Sequence, residues 1–390
     1  MIAADDEDAA RDAFEKAVKG DSRERSYKDT DYLLSTGDDT AGGVFDGFLV
    51  LGTEQAVRAA IDTADGGSPL ADEDSFKDAT GDIAEDRLGF VYLNSPKLFD
   101  ATRQAGGGEA IESLRDLFKE PYVTTVAAEQ DGVVFEGDAP ESLSKVVPFL
   151  GQGSDLIDEL PGDSWLALAQ PDLGKLLDFY VDAFGSSVGG RDVVEDQLRN
   201  ATGLDLQSDV LDWMGDFGLF VRGTSVANLN GGLVVETTDS AATERFILSL
   251  GRLARAQGGS GTTIAPLSAP GGGKGFTIRD NEVPQPIHVF LRGDRFVIAY
   301  GDDAAADAIE PSQTLGDSQA FSDASASIKG SDASFFLDMP AVLGLIDSTE
   351  ISADPQWQTV KPYLEPLRSL VGGTSGHGDE LSSVFKIIIE

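Results

Sequence analysis

Two stretches of this sequence are versions of each other, and that repeat constrains the fold more than any motif in the chain. The first runs from Asp46 to Asp100 and the second from Asp294 to Asp347. Phe48 and Ile61 lie thirteen residues apart, as do Phe296 and Ile309; Phe76 and Phe90 lie fourteen apart, as do Phe321 and Phe335. Asn94-Ser-Pro96 matches Asp338-Met-Pro340, a strand exit into a helix. Leu114-Arg-Asp-Leu117 matches Leu367-Arg-Ser-Leu370, and Val133–Glu136 matches the closing run near Val384–Ile387. Equal spacing through several elements, in a chain rich in Ala, Asp and Gly, marks a duplicated unit, here of domain size. Bulky residues shared by both copies, such as Phe48/Phe296 and Phe90/Phe335, read as core.

Local patterns fill in the second copy. Trp165–Ala169 alternates as a strand, and Pro171-Asp172 opens a helix whose Leu173, Leu176, Leu177, Tyr180, Val181 and Phe184 share one face. A second helix is expected over Val193–Asn200, and paired strands over Gly218–Arg222 and Gly232–Thr237. Asp239 is placed to cap a helix carrying Ala242, Phe246, Leu250 and Leu253. Four strands follow at Thr262–Pro266, Gly275–Arg279, Ile287–Arg292 and Arg295–Tyr300. Helices are expected at Asp302–Ile309, Ser318–Ile328, Pro340–Ile346 and Trp357–Leu370, and strands at Ala333–Asp338 and Ser382–Ile389. Strands and helices mixed without a βαβα rhythm predict an α+β fold: two tandem homologous repeats, each a mostly antiparallel sheet packed with helices. The expected domains are residues 1–150 and 160–390, bridged by Glu141–Leu160. Nothing ahead of Met1 corresponds to Leu160–Val235, so the first repeat reads as N-terminally truncated, starting just before a helix at Asp6–Val18. On that reading the chain is a fragment, and the missing part is where a signal or anchor would lie.

At 390 residues the chain is long enough for two domains with ample cores. It has 68 acidic against 29 basic residues, a net charge of −39. That field repels nucleic-acid phosphates and anionic head groups and favours cations or basic proteins. The acids are scattered along the whole chain, which reads as solubility or adaptation to salt rather than as a binding patch. Cysteine is absent, which removes disulfides, thiolate nucleophiles and thiolate metal sites. No apolar run approaches the roughly 18 residues needed to span a bilayer.

The local motifs are weak. Pro270–Phe276 (PGGGKGF) lacks the Ser or Thr after Lys274 that a phosphate loop requires, and reads as a hairpin loop. Gln257–Thr263 reads as a turn and Gly66-Gly67 as a helix stop. Gly373-Thr-Ser375-Gly-His377 has His where a nucleophile elbow has Gly. His288, the other of two histidines, falls in an alternating strand and reads as structural. Asp5-Asp6-Glu7-Asp8, Asp38-Asp39, Asp72-Glu73-Asp74 and Asp302-Asp303 do not fit calcium-loop spacing, and three of the four suit helix starts. Asn200-Ala-Thr202 is formally a glycosylation sequon. Trp213 reads as core. No catalytic, cofactor-binding or metal-binding residue is nominated, and no cofactor is expected.

Gly52–Ile61 followed by Leu70-Ala-Asp72 and Phe76, with Leu160-Pro-Gly-Asp163, Leu211-Asp-Trp-Met-Gly-Asp216 and the Val234–Phe246 strand–helix, resembles a bacterial, actinobacterial-type family known only as domain of unknown function 3352. The resemblance covers essentially the whole chain. It implies an N-terminal membrane anchor followed by an extracytoplasmic region, and supplies no activity. The expected function is therefore a non-enzymatic, membrane-tethered cell-envelope protein that binds or scaffolds an unidentified protein or other ligand. Two alternatives stand beside it: a carrier of an apolar ligand such as a lipid, and a carboxylate-dependent hydrolase.

Overall fold

The computed structural model describes residues 2–4, 6–17, 22–37, 39–84, 86–104, 108–142, 153–185, 189–259, 261–267, 272–377 and 380–389. They form two compact units, Met1–Gly81 and Asp82–Glu390. Both are α+β with antiparallel sheets.

In the first unit, β1 (Ile2–Ala3), β2 (Ser22–Tyr27), β3 (Thr30–Ser35), β4 (Thr40–Phe45) and β5 (Phe48–Thr53) form a sheet in the order β1-β5-β4-β3-β2. Asp46 and Gly47 turn β4 into β5 with φ of +51° and +75°. That left-handed pair matches the strand twist, so the hairpin closes in two residues. Helix α1 (Glu7–Ala17) lies close on β4 because residue 42 is glycine: a Cβ there would come within 2.6 Å of the Phe14 ring and of Leu51. Helix α2 (Glu54–Ala64) buries Val57 and Ile61 against Tyr32, Leu34, Ala41 and Val50. The Tyr32 hydroxyl donates to Glu54 at 2.6 Å and accepts from Arg58 at 3.1 Å, so α2 is also held to β3 by polar bonds. Helix α3 (Asp74–Thr80) closes the unit.

The second unit is built on one sheet of thirteen described strands. Its first three are β6 (Gly89–Leu93), β7 (Tyr122–Glu129) and β8 (Gly132–Ala139), with α4 (Ser95–Thr102) after β6. Next come α5 (Leu156–Glu159), β9 (Leu166–Gln170), α6 (Leu173–Phe184), α7 (Arg191–Thr202), β10 (Met214–Arg222) and β11 (Asn230–Thr237). Then follow α8 (Ser240–Gln257), β12 (Thr262–Pro266), β13 (Lys274–Asp280), β14 (Ile287–Arg292) and β15 (Arg295–Tyr300). The chain ends with α9 (Asp302–Asp307), α10 (Gln319–Ser327), β16 (Asp332–Asp338), α11 (Met339–Asp347), α12 (Pro355–Leu364), β17 (Leu367–His377) and β18 (Glu380–Ile389). The strand order is β12-β13-β14-β15-β11-β10-β9-β16-β17-β18-β8-β7-β6.

Register fixes which side chains share a face. One lateral row crosses the whole sheet: Pro266, Phe276, Val289, Ile298, Leu233, Leu219, Leu168, Phe335, Gly372, Phe385, Phe135, Val126 and Gly89. At the β12–β15 end α8 covers this face, and Trp213, Phe246 and Phe296 meet there at centroid distances of 5.4–5.8 Å. The opposite face packs α9 and α10 over Ala167, Phe220, Val297, Ala299 and Phe336. Small residues on α9 (Ala304, Ala305) let that helix sit low on the strands.

The two matched stretches carry the same order of elements: α1 through β8 parallels α8 through β18, except that α12 is present only in the second. The order β1-β5-β4-β3-β2 parallels β11-β15-β14-β13-β12, with Ala3 opposite Phe48 as Val235 is opposite Phe296.

The compact units divide near residue 81 because β8 pairs with β18 and draws β6–β8 into the large sheet, whereas the repeat sets the expected domains at 1–150 and 160–390. Several expectations about individual elements need correction. Helix α12 stops at Leu364, not Leu370: Pro366 has no N–H to carry the helical ladder on, and β17 begins at Leu367. Leu114–Leu117 therefore lies in a 3-10 helix (Gly108–Phe118) while its supposed match lies in a strand. Phe335 shares its lateral row with Gly89, so Phe90 lies on the opposite face; Phe90 stands four residues before the Asn94 cap and Phe335 three before the Asp338 cap. Phe48 and Phe90 are 42% and 43% exposed, so they are not core, whereas Phe296 is buried. Residues 143–152 of the expected bridge, and parts of the two glycine-rich loops and of the acidic runs at Asp5 and Asp38, lie outside the described residues. Among the described residues no helix is long and apolar enough to cross a membrane.

Trp213 is fully buried and its indole N–H donates to the Asp209 carbonyl at 3.0 Å. Trp213→Ala removes the centre of the α8 core, and a loss of about 3–5 kcal/mol is expected by urea unfolding. A loss below about 1 kcal/mol would contradict the packing described here.

Candidate functional site

The pairing of β8 with β18 creates a recess on one face of the sheet. Leu381 to Ile388 runs antiparallel to Ala139 to Gly132 in continuous register. Side chains alternate across this seam, so Val134, Glu136, Val384 and Lys386 face one way and Phe135 and Phe385 the other. Helix α10 and the turn after it, through Asp323, Ser327, Ile328 and Ser331, form the far wall of a groove of about 920 Å³.

Lys386 sits at its base with 2% of its side chain exposed. Its ammonium donates to Glu129 Oε2 at 2.6 Å and lies 2.8 Å from Asp131 Oδ1. Burial alone would lower this lysine's pKa, but its hydrogen bonds to Asp131 and Glu129 outweigh that and hold the group above the ordinary lysine value. The same contact with Lys386 holds Asp131 below the usual carboxylate range. The lysine thus stays charged, the opposite of what an amine nucleophile or base requires. Glu136 is paired with Arg87 at 2.9 Å, and Asp323 accepts from Gln319 at 2.7 Å. Four carboxylates and two amines line the groove, so its field suits a cationic group.

Other polar clusters are smaller. His288 is fully buried between Thr277 Oγ1, 3.0 Å from Nδ1, and Asp302 Oδ1, 2.8 Å from Nε2. The order hydroxyl–imidazole–carboxylate resembles a triad, but Thr277 is only 1% exposed and faces core, so the cluster ties α9 to β14. Arg222 is buried and bonded to Asp163, Asp307 and Asn230. At the opposite end of β10, Asp216 sits in a bulge and accepts from Ser154 at 2.7 Å. Partial desolvation, then the nearby Asp216, raises the pKa of Glu236; Arg295, itself bonded to Glu159, opposes the shift. Desolvation also raises Asp158, with Asp155 and Glu159 adding to it. A small cleft of about 170 Å³ lies between α8 and β13, lined by Ile247, Leu248, Gly251 and Phe276. Among the described residues no group of three or more His, Asp or Glu is arranged to hold a metal ion.

The sequence pointed to none of the groove. Lys386 in the closing Lys-Ile-Ile-Ile run is the signal that was passed over: a charge inside an apolar strand is either exposed or paired. Ser375 lies within β17 opposite Ser382, so no nucleophile elbow exists there. Asn200 falls inside α7. Asp302 and Asp303 open α9 as expected, and Asp239 caps α8 through Ala241 and Ala242.

A family model described as "Protein of unknown function (DUF3352)" matches residues 1–390. The chain belongs to this family. No curated protein matches the DUF3352 chain. Among solved structures, the one titled "Structure of crystal form III of TP0453" matches with 8% identity and a TM-score of 0.30, over 58% of this chain and 77% of that one. A likeness of that size carries no argument about function.

The Lys386 pairing makes stability pH-dependent at both extremes. Lys386, raised in the fold, stabilises fully below its unfolded value near 10.5, and that contribution is lost as pH climbs through the folded value. Asp131, lowered in the fold, stabilises above its unfolded value near 3.8, and that contribution is lost as pH falls through the folded value. Lys386→Met leaves two carboxylates that are half exposed, at a cost on the order of 1 kcal/mol. Glu129→Gln with Asp131→Asn strands a buried ammonium and costs about 3 kcal/mol. Urea titrations from pH 3 to 11 check both; equal losses in the two variants would rule out this asymmetry.

Proposed function

We propose that this DUF3352 chain is a non-enzymatic cell-envelope protein that binds or scaffolds a partner, held on the extracytoplasmic side by a membrane tether. The observation that carries the reading is the state of Lys386. The groove beside the β8–β18 seam has its buried amine fixed as an ammonium by Glu129 and Asp131, which suits recognition and opposes nucleophilic or base catalysis. The tether and the extracytoplasmic location are what the family resemblance implies. We also infer that the two matched stretches descend from one duplicated unit; their shared element order and parallel strand orders support this.

The apolar-carrier reading keeps one specific support. The row Leu219, Leu168, Phe335, Phe385 and Phe135 is apolar yet not fully buried, and the Phe335–Phe385 and Phe385–Phe135 rings stand 6.2 Å apart. A ligand of that kind would co-purify and be seen by native mass spectrometry. The hydrolase reading rests on Glu236 with Asp216.

A panel of ester, glycoside and phosphate substrates separates the hydrolase reading from the leading one. No turnover above the uncatalysed rate is expected. Turnover abolished by Glu236→Gln or Asp216→Asn, with folding intact by circular dichroism, would overturn the binding role.

A further inference from the structure

We propose that the cleft between α8 and β13 binds a small amphipathic carboxylate, with its apolar part in the cleft and its anionic end on Arg255. The cleft lies on the face of the sheet opposite the Lys386 groove, so the proposal goes beyond the binding-or-scaffolding reading and does not rest on it. It follows from the sequence of α8. Glu244, Ile247, Leu248, Gly251 and Arg255 are spaced three or four residues apart along one stripe of the helix, and that stripe borders β13. Glycine in a helix interior is unfavourable, so its presence calls for a local reason. A Cβ on residue 251 would stand 3.1 Å from the Phe276 ring. Gly251 therefore brings α8 down onto Phe276 and leaves a gap where a side chain would project. Ile247 and Phe276 are buried along the inner wall, and Leu248, 67% exposed, stands at the mouth. The volume is about 170 Å³. An apolar cavity of about 150 Å³ takes one benzene ring, and a drug-sized ligand needs roughly 300 Å³ or more. The space thus suits one short chain or ring.

The charges at the rim select the other end of the ligand. A chain of net charge −39 is expected to draw cations, yet this cleft is lined by two cations and one carboxylate. Lys274 donates to Glu244 Oε1 at 2.5 Å, and the two cancel. Arg255 is the charge left over. Its Nη1 donates to the Gly251 carbonyl at 3.1 Å, and among the described residues it joins no ion pair. Arg252, one turn on from Leu248, donates to Ser249 Oγ at 2.7 Å and likewise joins none. Two guanidiniums beside an apolar cleft complement a carboxylate joined to a short apolar group, because a guanidinium presents its N–H donors in the fork that a carboxylate accepts. Repulsion from acids farther off is largely screened beyond about 8 Å at physiological ionic strength.

The probe is hexanoate, titrated against the 390-residue chain at physiological ionic strength and followed by ligand-observed NMR, with hexan-1-ol and hexylamine as controls. Saturable hexanoate binding is expected, with hexan-1-ol about tenfold weaker and hexylamine weaker still. Arg255→Gln should weaken hexanoate about tenfold and leave hexan-1-ol unchanged. Gly251→Ala puts a methyl group into the cleft and should weaken both. Leu248→Glu, at an exposed position, adds a negative charge at the mouth and should weaken hexanoate while leaving the circular dichroism spectrum unchanged. Absence of saturable hexanoate binding overturns the proposal. So does equal binding of hexanoate and hexan-1-ol, because the carboxylate would then play no part. Hexanoate binding that survives both Arg255→Gln and Leu248→Glu overturns it too, since the site would lie elsewhere. None of these outcomes bears on the Lys386 groove or on the hydrolysis panel, so the two readings fail separately.

Discussion

The antiparallel ladder between β8 and β18 is the contact on which the second unit depends. It joins residues about 250 positions apart and turns two separate meanders into one continuous sheet. Without it, β8 would carry an open edge, a row of unpaired main-chain groups ready to pair wrongly. Everything placed near the seam follows from its register: the aromatic pair Phe135 and Phe385 on one face, and Val134, Glu136, Val384 and Lys386 on the other.

The buried ion pair adds selectivity to that ladder. A slip of one residue would swing Lys386 onto the face that carries Phe135 and Phe335, away from Glu129 and Asp131. An unpaired ammonium among aromatic rings is far costlier than the bond lost, so the charge discriminates between registers that the apolar run Ile387–Ile389 would otherwise tolerate. The pair contributes less as net stability than as a penalty on wrong alignments. His288 acts in a similar way at α9, where one buried imidazole fixes the start of a short helix built largely of alanine and aspartate.

Much of the fold was legible because its signals are local. Asp239 before Ala242 and Phe246, the alternation of Arg295–Tyr300, and the Asn94 and Asp338 caps each declare an element within a few residues, and each stands where expected. The errors came where one residue changes a face or a state. Phe90 stands four residues before its helix cap and Phe335 three, which inverts the sense of their match, and Pro366 ends a helix whose apolar pattern runs on into a strand. The groove was not legible at all. It depends on Glu129, Asp131 and Lys386 meeting across a ladder of long sequence separation, and no local pattern specifies which distant strand β18 will choose. The repeated spacing pointed to two parallel halves, whereas β8 and β18 pair with each other and the compact units divide at residue 81.

That same ladder sets an order on biosynthesis. Strand β18 (Glu380–Ile389) follows β8 (Gly132–Ala139) by more than two hundred residues, yet it stands between β17 and β8 in the interior of the sheet. A ribosome delivers β8 well before this lateral neighbour. Until β18 emerges, the growing chain carries β8 with one edge open, a surface on which chaperones would act.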